Sequence, residues 1–178
     1  GEGHWIKCPK CDEIMHKKMW ENNFYLCTKC DYHFRIGSEE YFKILFDEGE
    51  YKELDRKVTS KDPLGFVDTK KYKDRLNDTI KQTGLFDAVR TAIGNLNSKE
   101  CVICAMDFKF IGGSMGSVVG EKIARGIQRA IKEKCPFIII SKSGGARMME
   151  AAISLMQLAK TSAWIAKLSE NGLPYISV

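Results

Sequence analysis

The chain has 178 residues, of which 44% are hydrophobic and 29% charged, a composition typical of a folded water-soluble protein. No apolar run approaches the roughly 18 residues of a membrane-spanning helix, and residues 1–7 lack the apolar segment of a secretory signal, so we expect a cytoplasmic protein without a membrane partner. The formal net charge of +5 counts every cysteine as neutral, and it overstates the case for an acidic partner.

Four cysteines near the start of the chain have the spacing of a structural zinc site. Cys8 and Cys11 form one Cys-x2-Cys pair, and Cys27 and Cys30 form the second pair. A unit this small needs an ion at its centre, so residues 1–36 are predicted to be a zinc ribbon, with a hairpin over residues 19–25.

The ribbon gives only weak support for nucleic-acid binding. Residues 1–36 hold six Lys or Arg against five Asp or Glu, and a zinc ion with four thiolates adds a further −2, which leaves the ribbon slightly acidic. Its aromatic side chains could stack on bases, although they would more often pack the ribbon or dock it on a neighbour; these are Trp5, Trp20, Phe24, Tyr25, Tyr32 and Phe34.

Residues 37–85 are predicted to be a helical connector. Ser38 is a plausible N-cap followed by Glu39 and Glu40 in the first turn, and Gly49 ends this first helix. Residues 57–69 contain Pro63 and Gly65 and indicate a loop, and residues 70–83 have the apolar spacing of a second helix.

Strands begin at about residue 86. Residues 89–93 alternate, residues 94–98 form a turn, and residues 101–111 are predicted to be a strand whose one face carries Val102, Cys104, Met106, Phe108 and Phe110. Cys101 and Cys104 resemble a ligand pair, but residues three apart on a strand point to opposite faces. We therefore predict buried thiols there, as at Cys135, rather than a second metal site.

Two glycine junctions follow predicted strands. The first glycine junction is residues 112–116 (GGSMG), ahead of a helix; it is not a P-loop, because Glu121 stands where that motif needs Gly before Lys122. The second glycine junction is residues 143–147 (SGGAR), between the apolar run 137–140 and a helix expected from Ala146. That helix is predicted to bury an apolar face made by Met149, Ala152, Ile153, Met156 and Ala159 or Lys160.

The order strand, helix, strand, helix, strand from residue 101 predicts a parallel sheet with right-handed crossovers. Both glycine junctions would then lie at the carboxyl edge, where such folds bind ligands, with backbone N–H groups that suit an anion or a developing oxyanion. A plain tight strand–helix turn explains the second glycine junction, taken alone, equally well. All three histidines lie in the ribbon, which excludes a Ser–His catalytic pair within residues 37–178.

Taken together, these motifs resemble the family of beta subunits of the carboxyltransferase component of bacterial and plastid acetyl-CoA carboxylase. The resemblance covers nearly the whole chain. It rests on the four-cysteine ribbon and on four short stretches: DRL at 74–76, FIGGSMG at 110–116, SGGARM at 143–148 and GLPYISV at 172–178.

The resemblance implies a function. The fold would be α/β, with a crotonase-like (ClpP/crotonase) β-β-α spiral over residues 86–178 after the zinc ribbon. The reaction would transfer a carboxyl group from carboxybiotin, on a biotin carboxyl carrier protein, to acetyl-CoA, giving malonyl-CoA for fatty-acid synthesis. An alpha subunit would complete an α2β2 assembly, and a separate biotin carboxylase would consume the ATP.

The resemblance also implies roles for individual residues. Gly144 and Gly145 match the glycine pair whose N–H groups would hold the thioester enolate oxygen. Gly112 and Gly113, with Ser143, match the lining of the CoA site. Arg147 could bind a CoA phosphate, cap local carbonyls or pair with Glu150, and Lys142 is similarly open. Biotin itself would take the acetyl proton, and zinc would be structural.

Several alternatives stay open. The family continues past Val178, so we expect the last domain to be truncated there. A propionyl-CoA carboxyltransferase differs by one methylene, which is worth about 1–3 kcal/mol of discrimination. A zinc-ribbon nucleic-acid binder with a regulatory role and a non-catalytic scaffold are the readings outside this enzyme class.

Overall fold

The structure is a computed structural model that describes residues 4–178, so the first three residues of the predicted ribbon lie outside the described residues. The chain divides between Ile36 and Gly37 into two compact units.

The ribbon is built on a short hairpin and one helix. Strands β1 (Trp5–Lys7) and β2 (Ile14–His16) pair antiparallel, and helix α1 (Lys17–Asn22) follows at once. The predicted hairpin over residues 19–25 is wrong, because most of that segment is helical. The Nδ1 of His16 accepts the N–H of Lys18 at 3.2 Å and caps the helix, and Trp20 packs with the ribbon core.

The larger unit is a five-stranded sheet with four helices. In chain order its elements are α2 (Ser38–Leu45), β3 (Tyr51–Leu54), α3 (Tyr72–Thr83), β4 (Val89–Leu96), β5 (Lys99–Met106), α4 (Ser117–Glu133), β6 (Phe137–Ile140), α5 (Ala151–Glu170) and β7 (Tyr175–Ser177). The strand order is β3-β4-β5-β6-β7, antiparallel from β3 to β5 and parallel from β5 to β7. The predicted parallel β5-α4-β6-α5-β7 arrangement is confirmed.

Both faces of the central strands are buried, as the apolar runs predict. On β5, Val102 and Cys104 enter one hydrophobic cluster, whereas Cys101 and Ile103 enter the other. The prediction that Cys101 and Cys104 face opposite sides of the sheet is therefore confirmed. Helices α3, α4 and α5 contribute to the first cluster and α2 to the second.

Two strand boundaries differ from the predictions. Strand β3 had no sequence assignment, and it pairs with β4 from Tyr51 opposite Gly94 to Leu54 opposite Thr91. The predicted strand over residues 101–111 ends at Met106 because the N–H of Phe110 turns back to the carbonyl of Asp107 at 3.2 Å. As a result the side chain of Phe108 is 43% exposed.

The start of α2 differs from the predicted capping. Ser38 is the first helical residue rather than the N-cap, and Gly37 precedes the helix. The Glu40 carboxylate accepts the N–H of Gly37, and the Asp107 carboxylate accepts the N–H of Ser38, each at 2.8 Å. A distant carboxylate thus shares the capping role that the sequence assigns to Ser38.

Helix α5 begins at Ala151, not at Ala146, and its predicted buried face is wrong apart from Met149, which is buried just before the helix. The buried side chains of the helix are Ser154, Gln157, Thr161 and Leu168. Met156 of the predicted face is instead 62% exposed. Polar residues enter the interior because the hydroxyl of Thr161 and the amide of Gln157 donate to carbonyls one turn earlier on their own helix.

Candidate functional site

The four ribbon cysteines converge on a point that suits one zinc ion. All four Sγ atoms lie within 4.8 Å of one another. The Cys8–Cys30 and Cys11–Cys27 Sγ separations are 3.7 and 3.6 Å. A tetrahedron of four thiolates with Zn–S bonds of about 2.3 Å has S–S edges of roughly 3.8 Å, so the donor set fits zinc.

Backbone groups support these sulfurs. The N–H of Lys10 donates to Cys8 Sγ at 3.4 Å. Desolvation raises the pKa of Cys27, but hydrogen bonds from the backbone at Lys29 and Cys30 outweigh it, and the pKa falls to about 7. Desolvation instead raises the pKa of Cys30 to about 12, so the hydrogen bonds favour the thiolate at Cys27, and a bound metal ion would be needed to favour it at Cys30.

The ribbon aromatics divide into two groups. Trp20, Tyr32 and Phe34 pack around the cysteines and Tyr25 is buried, which matches the packing role. The side chains of Trp5 and Phe24 are 62% and 67% exposed. Only these last two retain broad faces that a planar ligand could stack on.

The first glycine junction is a tight turn between β5 and α4. Gly112 and Gly113 have φ angles of 63° and 65°, which side chains rarely adopt. A Cβ on Gly113 would lie 2.3 Å from the carbonyl oxygen of Lys142, in the loop after β6. Glycine is therefore required here for close approach of the two junctions.

Backbone hydrogen bonds join the two junctions. The N–H of Gly144 donates to the carbonyl of Gly112 at 2.9 Å. The N–H of Met115 donates to the carbonyl of Gly145 at 2.8 Å, and the N–H of Arg147 returns to the carbonyl of Met115 at 2.9 Å. The structure thus brings Gly112, Gly113, Gly144 and Gly145 together at the carboxyl edge of β5 and β6.

The pairing changes which N–H groups can receive a ligand. The expected donor at Gly144 is already bound to Gly112. The N–H of Gly145 has only the exposed hydroxyl of Ser143 as its acceptor, at 3.0 Å. Within residues 4–178 no acceptor takes the N–H of Ala146, and residues 143–146 are exposed. The geometry therefore favours Gly145 and Ala146 as the donor pair, one residue along from the expected pair.

The side chain of Arg147 points into the protein interior, whereas residues 143–146 are exposed. This side chain is fully buried, and it donates to Asp87 at 2.6 Å and to the carbonyl of Ser114 at 2.8 Å. It also lies 3.6 Å from Glu150. This geometry favours the local carbonyl-capping and salt-bridge roles over an exposed phosphate-binding role.

Lys142 occupies a different position from Arg147. It is half-buried, and its ammonium lies 5.8 Å from the centroid of the Tyr41 ring. Lys142 and Arg147, five positions apart in the same loop, therefore have separate surroundings.

Sequence reasoning offered Glu150 as a partner of Arg147 but missed the other residues that bind this pair. They are Tyr72, Asp87, Ser114 and Ser117. Asp87 and Tyr72 are 60 and 75 residues from Arg147 along the chain, so no local spacing reveals them. The one available signal was a charged residue, Asp87, near the start of a predicted strand.

A separate cavity lies away from the junctions. It has a volume of about 350 Å³, and its lining includes Glu53, Arg90 and Lys122 but none of the predicted site residues. Arg90 is already paired with Glu53 at 2.8 Å and Glu39 at 2.7 Å.

No helix among residues 4–178 combines the length and apolar character that a membrane crossing needs.

Comparison with known proteins follows the same division of the chain. The model of the carboxyl transferase domain matches residues 41–178, and the model of the acetyl-CoA carboxylase zinc finger domain matches residues 5–30. The predicted four-cysteine ribbon is thereby confirmed.

Curated relatives agree with this assignment. The acetyl-coenzyme A carboxylase carboxyl transferase subunit beta of Flavobacterium psychrophilum is 61% identical over 99% of this chain and 62% of its own length. The subunit of the same name from Prosthecochloris aestuarii is 54% identical over 99% of this chain and 63% of its own length. The chain thus spans slightly under two thirds of these relatives.

Solved structures support the fold. A transcarboxylase 12S structure with hydrolysed methylmalonyl-coenzyme A bound matches 80% of this chain and 25% of its own, with a TM-score of 0.65 and 24% identity. At that identity the match shows the fold alone, and the α/β crotonase-like prediction is confirmed. The carboxyl transferase domain model covers residues 41–178, which is most of this chain. This chain therefore belongs to the carboxyl transferase domain family.

Proposed function

We propose that these residues belong to the beta subunit of an acetyl-CoA carboxylase carboxyltransferase. The reaction would move the carboxyl group of carboxybiotin to the methyl carbon of acetyl-CoA and release malonyl-CoA. The names of relatives at 61% and 54% identity support this assignment. A cytoplasmic location is part of the same proposal.

The observation that carries the proposal is the pair of N–H groups at Gly145, which donates to the exposed Ser143 hydroxyl, and at Ala146, which has no acceptor among residues 4–178. They lie on an exposed stretch at the carboxyl edge of parallel strands, next to the joined glycine junctions. When the acetyl methyl group loses its proton, negative charge develops on the thioester oxygen. Two backbone donors stabilise that charge, and losing one such donor costs about 10²–10³ in rate.

The proton itself needs another acceptor. This chain has histidine only at positions 4, 16 and 33, all in the ribbon. We assign proton removal to the biotin ring that has given up its carboxyl group, which balances the exchange of a carboxyl group for a proton. The residues of this chain then hold and orient the thioester, and the zinc ion holds the ribbon together.

An apolar surface on α5 supports the proposed partners. Leu155, Met156 and Leu158 are 60–62% exposed, on a helix that starts just after the second glycine junction. Contiguous exposed apolar side chains are typical of an interaction site. We place the alpha subunit of an α2β2 assembly against this face, with the biotin carboxyl carrier protein delivering carboxybiotin from a separate biotin carboxylase that uses ATP.

The test is the reverse reaction, in which malonyl-CoA loses its carboxyl group to biocytin. The full-length natural protein containing these residues is assayed with an alpha subunit, and each subunit is assayed alone. Activity only in the mixture is expected, with acetyl-CoA preferred over propionyl-CoA in the forward direction. An inactive mixture would refute the proposed reaction.

A variant pair tests the donors. Ala146→Pro removes one proposed N–H, and kcat is expected to fall about 10²–10³-fold. Lys71→Pro is the matched control, because Lys71 is exposed and its φ of −60° already suits proline. Equal kcat values for the two variants would remove Ala146 from the site.

A further inference from the structure

The buried guanidinium of Arg147 connects the two glycine junctions through hydrogen bonds. It belongs to the second junction, and it holds Ser114 of the first by two bonds, from Nε to the hydroxyl at 3.1 Å and from Nη2 to the carbonyl at 2.8 Å. Nη1 and Nη2 also donate to the two carboxylate oxygens of Asp87. A planar fork can serve these acceptors together, whereas a point charge cannot.

Glu150 fixes the helix that follows the first junction. One carboxylate oxygen accepts the N–H of Ser117, the first residue of α4, at 2.6 Å, and the other accepts the hydroxyl of Tyr72 at 2.8 Å. Desolvation alone would raise the pKa of Glu150, but the bonds from Ser117 and Tyr72 and the charge of Arg147 lower it. The carboxylate is therefore charged, and it caps the positive end of α4.

The side chains of Arg147 and Glu150 are packed closely against Gly116. A Cβ on Gly116 would lie 2.8 Å from an oxygen of Glu150 and 3.1 Å from Nη1 of Arg147. Tyr72 donates to Glu150 and accepts from Nη1 of Arg147 at 3.0 Å, so one phenol joins both charges. The first junction is thus held from its start, at Ser114, to its end, at the N-terminus of α4.

We propose that Arg147 and Glu150 are positioning residues that set the spacing between the two glycine junctions and hold the donors at Gly145 and Ala146 in register with the thioester. This inference rests on the proposed function. Neither side chain touches substrate, since both are fully buried. A buried ion pair can often be exchanged for apolar residues with no loss of stability, so the hydrogen bonds that this pair makes to Ser114 and Ser117 indicate a geometric role.

The test is Arg147→Lys in the full-length subunit with its partner. Lysine keeps the positive charge beside Asp87 and Glu150 but loses the fork that binds Ser114. We expect kcat to fall about tenfold or more and KM for acetyl-CoA to change less than threefold, because misplaced donors weaken binding of the transition state only. Arg125→Lys is the matched control, since Arg125 is an exposed arginine paired with Glu121 and Asp55.

Amide hydrogen exchange supplies a readout that does not require activity. In Arg147→Lys, exchange should accelerate in residues 111–116 and 143–148 but not in β5, residues 99–106. Uniform acceleration, or none in residues 111–116, would overturn the positioning role. A KM increase at unchanged kcat would also overturn it. An inactive wild-type complex would instead reject the proposed function, and the exchange pattern would still decide whether Arg147 holds the junctions.

Discussion

The zinc ribbon and the larger unit hold negative charge in opposite ways. In the ribbon four sulfurs approach to within 4.8 Å. None of the residues buried there from residue 4 onward is a cation; they are Cys8, Met15, Tyr25 and Cys27. In the larger unit Asp87 and Glu150 are buried, but Arg147 lies between them and neutralises much of their charge. The first arrangement requires an external cation and the second carries its own.

This difference shows where each unit obtains its stability. Around its cysteines the ribbon has Met15 and a few partly buried side chains, which is too small a core to fold by burial alone. The larger unit buries apolar side chains on both faces of its sheet. The two units should therefore respond differently to metal, to core truncation and to acid.

Metal removal should have the largest effect, and it should be confined to the ribbon. A chelator removes the ion that neutralises four thiolates, and structural zinc contributes about 10–16 kcal/mol in small zinc-binding peptides. We expect proteolysis to cut residues 4–36 rapidly while a fragment from about residue 37 survives. Equal protection of the ribbon with and without chelator would contradict this account.

A cysteine pair provides the matched control for that prediction. Cys27→Ser removes one zinc ligand and should reproduce the effect of the chelator. Cys135→Ser changes a buried thiol of the larger unit that is not among the four clustered cysteines. The zinc content of the Cys135→Ser variant, measured by metal analysis, should remain at one ion per chain.

Core truncation should have the next largest effect, in the larger unit alone. Phe137 is fully buried at the start of β6, and Phe137→Ala should lower the free energy of unfolding by about 3–5 kcal/mol. Trp164 fluorescence during urea unfolding reports on this unit once Trp5 and Trp20 are replaced by Phe. Phe108→Ala, at a 43% exposed position, should cost less than about 0.5 kcal/mol. Equal losses would contradict the assigned core, as would loss of zinc from Phe137→Ala.

The features that were predictable from sequence are those with local causes. The cysteine spacing specified the ribbon, and the run 137–140 specified β6 to the residue, because four apolar residues between Pro136 and a glycine turn leave few alternatives. The same local pattern located both glycine junctions at the ends of strands.

The features that were missed depend on contacts between distant residues. Gln157 is buried in α5 because Gly120 on α4 allows close approach, and a Cβ there would lie 2.2 Å from the Gln157 amide oxygen. Gly144 loses its free N–H because Gly112, 32 positions earlier, supplies an acceptor at 2.9 Å. Periodicity within one element cannot show either contact, because the two residues of each pair lie in different elements.

Acid should have the smallest effect, and in the larger unit its direction should differ from one carboxyl group to another. Zinc dissociates as thiolates gain protons, so acid destabilises the ribbon. In the larger unit, desolvation raises the pKa of Asp107, whose Oδ2 has no hydrogen-bond partner among residues 4–178. A carboxyl group with a raised pKa in the folded state contributes most below its unfolded pKa, and the contribution is lost as pH rises through the folded value.

Asp107→Asn isolates this contribution. Asparagine can still accept the N–H of Ser38, but it does not titrate. Relative to this variant, the wild-type larger unit should become more stable as pH falls from 7 toward 4, as followed by Trp164 fluorescence in urea. Glu121→Gln should show the opposite trend, because Arg125 and Lys160 lower the pKa of Glu121 and its contribution is lost in acid. If Asp107→Asn and Glu121→Gln shift in the same direction, burial is not what governs Asp107, and the unpaired oxygen must find a partner in solution.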